Sequence, residues 1–436
     1  MITKDNSGTI DTAKYVFSKY YEYLPYMRLE KESILNVLHS RETGTNTKSR
    51  NKSKSNPKWS SFTRKSQCFY TRSLCAAKIG RPLFYSITNV EKGVDKRLRP
   101  RQFEYNPLDS GLMAIGTLDG EVIVVNHETG NIVSRVASCG DMNSILGLCW
   151  LKEQPSKLLV GSDNGSLRLY DVNCDALKSS KDCYCDPVVT FDDFEQLTSV
   201  HVNSTDDRCL ASGYSKKVAI YDIASGKRLQ LLSDMHREPI NVAKFSNHSP
   251  SMFVTSSFDR DVKMWDTRQK PVGPCFSARS TRGNVMVVFS PDDLYLLVSA
   301  VDNEVKQLLS VDGRLHTDFG IVSTGSAHNY TRSYYMNGRD YIISGSCEES
   351  TVRVCCAQTG RRLNDISLED MRWGSSIFVQ SLRSDPFRHF NMAILAAYAR
   401  PMSKYEIIKV DLLSSSHSNE ENQEGLSVNN SYCKGG

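Results

Sequence analysis

One cadence recurs seven times along the chain, and no other feature constrains the fold as tightly. An alternating apolar stretch runs into a polar turn, then a strand of small residues, an Asp, and a second alternating stretch. The fullest copy spans Pro239 to Arg268 and ends Trp265-Asp266-Thr267-Arg268. Matching stretches begin at Arg101, Ser144, Leu197 and Asn284, and looser ones at Tyr330 and Ser376. Counted from Val125, the equivalent positions Tyr170, Tyr221, Trp265, Leu309, Cys355 and Lys409 are spaced by roughly 44–54 residues, the repeat length of a four-stranded β unit.

Such a unit is a small twisted sheet that cannot hide both of its faces alone. Radial packing of about seven units solves this and leaves only short edges. The fold expected is therefore all-β, a seven-bladed β-propeller over residues 101–413, with a β-sandwich or separate β domains as the competing arrangement. Turn chemistry agrees: Asp119-Gly120, Asn164-Gly165 and Asp312-Gly313 can supply the positive φ angles that tight hairpins need.

Composition narrows the partners. Hydrophobic residues make up 39% and charged residues 24%, the balance of a globular protein with a sizeable core. No stretch approaches the roughly 18–20 apolar residues of a membrane span, so no membrane partner is expected. The opening MITKDNSGTI has no apolar run behind a basic cluster, so no secretory signal is expected. The 13 cysteines show no CxxC spacing and no paired His at ligand distance, so neither a metal nor a cofactor is expected. Most of them read as buried or incidental thiols of a reducing compartment.

Net charge is +5 but lopsided: residues 1–101 hold about 21 Lys and Arg against about 8 Asp and Glu, which leaves the remainder near −8. Within this basic head, residues 1–40 form a helical segment. Phe17, Tyr20 and Leu24 fall at helical spacing before Pro25, and Leu35 and Leu38 follow in a second short helix. The pair either packs on its own propeller or docks a partner. Residues 41–66 are polar and Lys-rich, too poor in apolar surface to order themselves. They read as a basic disordered linker, with nuclear import or contact with nucleic-acid phosphates as the functional alternatives. Residues 67–100 form a lead-in to the propeller, and 414–436 a disordered tail.

His236, Ser257, Asp259 and Trp265 match the structural tetrad of the WD-repeat family, in which hydrogen bonds tie outer to inner strands. Elsewhere the set decays: Asp119, Asp163 and Asp302 persist, whereas the His and Trp positions mostly do not. The stretch FVTSSFDRDVKMWDTR (Phe253 to Arg268) resembles the DWD box of cullin-4 ligase receptors: two apolar residues, three small ones, Asp259, alternating apolar positions, then Trp265, Asp266 and Arg268. Thr267 departs from that pattern, since an aliphatic residue is commoner there. Arg99 to Gly130 looks like the first blade of the smaller DNA-damage-binding protein and its plant relatives.

The resemblance implies a non-catalytic substrate receptor of a cullin-4 RING ubiquitin ligase, placed in ultraviolet or light-stress signalling. Asp259, Trp265, Asp266 and Arg268 would meet the DNA-damage-binding adaptor, and Phe17, Tyr20 and Leu24 would add a helical contact. The target protein is not named by any residue pattern. The compartment implied is the nucleus, with the cytoplasm as a second. No GxSxG, P-loop, GxGxxG or HExxH motif is present. Two alternatives stay open: a damaged-DNA or chromatin reader, with nucleic acid held through the basic N-terminal region, and a WD-repeat scaffold independent of the ligase.

Overall fold

Alternation of apolar residues with period two commits the repeats to strands, and the strands assemble blade by blade. The computed structural model describes residues 74–82 (backbone only), 99–136, 143–173, 185–269, 272–369, 377–398 and 404–414. The expected helical segment with Phe17, Tyr20 and Leu24, the stretch 41–66 and the tail after 414 lie outside the described residues. After strand β1 (Leu74–Pro82), blades 1 to 6 take their four strands in chain order: β2–β5 within Pro100–Val136, β6–β9 within Ile145–Thr190, β10–β13 within Leu197–Leu232, β14–β17 within Ile240–Arg279, β18–β21 within Asn284–Asp318 and β22–β25 within Thr331–Ser367. The seventh is built from β26 (Ile377–Ser384), β27 (Asn391–Tyr398) and β28 (Lys404–Ser414). All pairing within these sheets is antiparallel.

The segment read from the sequence as a lead-in to the propeller supplies the outer strand of the last blade. β1 pairs with β28, from Leu74 opposite Ser414 to Pro82 opposite Ile408. The first and last of the described strands thus share one sheet. The first strand of each blade touches the first strand of the next, and β26 touches β2 of blade 1, so the ring is continuous.

Packing follows the same logic. Among the described residues, seven clusters of buried apolar side chains form, each between two adjacent blades. Phe103, Ile115 and Val125 of blade 1 join Ala393, Leu395 and Ile407 of blade 7 at the closing interface. That seam also carries charge. The nearly buried Arg383 guanidinium donates to Glu104 at 2.6 and 3.0 Å and lies 4.2 Å over the Tyr334 ring. Burial would depress its pKa, but Glu104 and Tyr334 outweigh that and hold the charge. With no blade able to cover its own faces, the stabilising unit is the interface between blades, not the blade.

Candidate functional site at the two ends of blade 4

Blade 4 holds the full motif, and its local structure follows from residue size. β15 (Met252–Ser257) is small from Thr255 onward, which lets bulky neighbours close over it; β16 (Asp261–Asp266) returns antiparallel with Phe253 opposite Trp265. The two rings stack at 6.2 Å with planes 16° apart, and Phe245 meets Phe253 edge-on. Trp265 is 4% exposed and packs with Leu210 and Ile220 of blade 3.

A buried chain of hydrogen bonds runs through this core. Trp265 Nε1–H donates to Thr255 Oγ1 at 2.8 Å, and Thr255 Oγ1 lies 2.7 Å from His236 Nε2. His236 Nδ1 lies 3.0 and 3.2 Å from the Asp259 carboxylate. An indole N–H can only donate, and a carboxylate anion can only accept. The directions then fix themselves: the Thr255 hydroxyl donates to His236 Nε2, and His236 Nδ1–H donates to Asp259. Burial depresses the His236 pKa and Asp259 opposes this without reversing it, so the imidazole stays neutral. Burial alone would raise Asp259, but backbone N–H groups of Arg237 and Asp261, together with His236, hold it below its usual range. The arrangement locks strands together and leaves no reactive group facing solvent.

Two assignments made from the sequence change. The hydroxyl that links His236 to Trp265 belongs to Thr255, not Ser257. Ser257 Oγ instead donates to the Glu238 carbonyl at 3.0 Å and receives the Asp259 N–H at 3.2 Å, shaping the turn. In blade 2 the position equivalent to Asp259 is Asn164, because Asp163 N–H bonds Ser144 O as Phe258 N–H bonds Pro239 O. Among the described residues no group of three or more His, Cys, Asp or Glu could hold a metal ion. Six described cysteines are free thiols, and Cys185 is disulfide-bonded.

Arg268 sits just past β16, at one end of the blade. Its Nε and Nη2 donate to Asp266 at 2.9 and 2.6 Å, and its backbone N–H bonds the same carboxylate at 2.9 Å. Asp266 is nearly buried, whereas the Arg268 side chain is 63% exposed. Burial would raise the Asp266 pKa, but Arg268 holds it below the usual carboxylate range. The result is a guanidinium anchored at its root and presented at the surface. Asp259 and Trp265, grouped with Arg268 as adaptor contacts by resemblance, lie in the buried chain and support the strand that carries it. Of these motif residues, Asp266 is the one bonded to Arg268.

The opposite end of the blade holds a residue the sequence reading passed over. The turn from β15 to β16 places a left-handed residue at its fourth position. The turns of blades 1, 2 and 5 place Gly120 (φ 82°), Gly165 (φ 93°) and Asn303 (φ 66°) there; blade 4 places Arg260 (φ 77°). Every other described non-glycine residue with positive φ is Asp or Asn. A long side chain in this region costs roughly 1–2 kcal/mol. The signal was present in the sequence as an Arg where the turns of blades 1, 2 and 5 carry Gly or Asn, but it shows only once the turns are aligned by register.

Comparison with known proteins gives a consistent placement. Residues 97–338, more than half of the chain, match the family model described as nucleolar protein 10-like, N-terminal domain. The chain is 56% identical to Protein DWD HYPERSENSITIVE TO UV-B 1 of Arabidopsis thaliana over 436 residues, covering 98% of this chain and 54% of that relative. It thus spans about half that protein's length. It is also 27% identical over 161 residues to Pre-mRNA-processing factor 17 of Saccharomyces cerevisiae, covering 36% of this chain and 34% of the relative. Pre-mRNA-processing factor 19 of Dictyostelium discoideum is 24% identical over 227 residues, with 51% and 42% covered.

Proposed function

The chain belongs to the nucleolar protein 10-like N-terminal-domain family of β-propellers, and from that premise we propose that it is a substrate receptor of a cullin-4 RING ubiquitin ligase. The end of blade 4 bearing Asp266 and Arg268 docks the DNA-damage-binding adaptor, and another face holds a target protein for ubiquitination. The observation that carries this reading is the Arg268 guanidinium: exposed, yet anchored through Asp266 to a buried strand. A flat fork of donors held in advance loses little side-chain freedom on docking and can satisfy several acceptors in a partly dry interface. The DWD wording in the Arabidopsis relative's name supports the same assignment.

In this reading the propeller contributes binding and no catalysis, and works in the nucleus, in signalling that follows ultraviolet or light stress. Phe17, Tyr20 and Leu24 add a second contact to the adaptor. Arg268→Ala should weaken adaptor affinity by about 2–5 kcal/mol, measured by calorimetry beside a thermal melt. Equal affinity with an unchanged melt overturns the assignment. Joint loss of binding and melting temperature would make Arg268 a structural residue.

One observation favours a second reading, a scaffold independent of the ligase. Arg268 is folded onto Asp266 within its own chain, a contact that serves to close the loop with no partner present. A full-length protein with no measurable adaptor affinity would select it.

A further inference from the structure

Beside the turn that carries Arg260 lies an open cavity of about 800 Å³, lined by residues from three blades: Phe258 and Arg260, Thr281 to Gly283 with Val301, and Ala327, His328 and Tyr330. Its walls have two characters. Phe258 and Tyr330 meet edge-on at 6.1 Å, and with Val301 and Ala327 they form an apolar side; Tyr330 is 37% exposed. The other side is cationic.

Carboxylates near that side are already engaged. Asp302 accepts hydrogen bonds from Ser323, Thr324 and Gly325 and pairs with Arg282 at 3.1 Å. Glu304 caps Thr281 and Arg282 N–H and pairs with Lys306. Arg237 and Arg279 share Asp261, at 3.3 and 3.6 Å. The Arg260 side chain has no hydrogen-bond or ion-pair partner among the described residues, so the turn and cavity wall keep an excess of positive charge. A glycine would fit the Arg260 backbone without strain, as it does in blades 1 and 2. A strained arginine facing a cavity is the kind of feature found where a side chain is needed for binding.

We propose that this cavity is the site at which the propeller grips its target: an acidic peptide segment, its carboxylate or phosphate on Arg260 and Arg282 and a neighbouring apolar side chain against Phe258 and Tyr330. The peptide site stands on the cavity itself; only the fate of the bound protein rests on the receptor reading. Arg268 lies at the other end of the same two strands. Six residues of strand separate the ends, about 20 Å, so adaptor and target can be held at once.

The test uses full-length protein and fluorescence anisotropy with short synthetic peptides that carry a Glu-Leu, a phosphoserine-Leu or a neutral Gln-Leu centre. Saturable binding of the Glu or phosphoserine peptide is expected, with the neutral one weaker by roughly tenfold or more, the loss a charge-assisted hydrogen bond brings. Binding by one acidic peptide and not the other identifies the anion and supports the proposal. Arg260→Gly should weaken peptide binding by a similar factor while the melting temperature holds or rises, since the turn is relieved. Adaptor affinity should be unchanged in Arg260→Gly, and peptide affinity unchanged in Arg268→Ala, so failure of this site and failure of the adaptor reading separate. Equal binding of neutral and acidic peptides, wild-type binding by Arg260→Gly, or no binding by either acidic peptide overturns the proposal.

Discussion

In blade 4 all four strands come from one continuous stretch, Ile240–Arg279, and a buried chain from Trp265 through Thr255 and His236 to Asp259 ties them together. Blade 7 has only three strands of its own; the fourth arrives from Leu74–Pro82, and the ion pair of Arg383 with Glu104 binds it to blade 1. One blade is secured by local side chains and the other by connectivity. Local bonds can be read near their sequence position and removed one at a time. A borrowed strand has no local signature, because its partner lies over three hundred residues away. The difference also suits the proposed work: blade 4, which presents Arg268 at one end and Arg260 at the other, is braced across its strands by that buried chain.

The sharpest way to break the comparison is to remove the borrowed strand. A chain beginning at Arg99 loses the ladder from Leu74 to Pro82 and leaves β28 as an open edge. Loss of the cooperative melt, or aggregation in size-exclusion chromatography, is expected. A monomeric protein melting like the full chain would show that blade 7 closes without β1.

A smaller effect separates the two hydroxyls of blade 4. Thr255→Val strands His236 Nε2 and Trp265 Nε1–H in a dry interior and should cost about 2–5 kcal/mol. Ser257→Ala removes turn bonds only and should cost about 1 kcal/mol. Denaturant unfolding of both variants decides the matter; a larger cost at Ser257 would restore it as the link to Trp265.

The smallest effect is pH dependence. His236 and His201 are held neutral chiefly by burial, His201 well below its ordinary pKa, with its Nδ1 accepting the Phe245 N–H at 3.1 Å. Folded-state pKa values below the unfolded one mean the stability is fully present above about pH 6.5 and is lost as pH falls below that value. His248 beside Asp293 is shifted upward and offsets part of this. Melting temperature should fall between pH 7 and pH 5, and His236→Gln should flatten the slope. An unchanged slope in that variant would mean His236 does not titrate on unfolding.

Much of the molecule was legible because a strand repeat of fixed length leaves few ways to bury its faces: the blade count and the Trp265 core follow from period and spacing. What failed were choices between near-equivalent positions. Thr255 and Ser257 are two residues apart on one strand, so both side chains fall on the same face, and composition cannot say which hydroxyl stands level with the Trp265 indole. Asp163 and Asn164 differ by one place in a turn, where only the backbone bond to Ser144 sets the register. The role of Leu74–Pro82 and the meaning of Arg260 required the assembled sheets.

The most direct test of a two-ended blade is amide hydrogen exchange on the full chain with and without the DNA-damage-binding adaptor. Slowed exchange at Asp266–Gln269, with Phe258–Arg260 unchanged, is expected if the adaptor docks at the Arg268 end and leaves the cavity open. Protection confined to Phe258–Arg260, or none on blade 4, would contradict it.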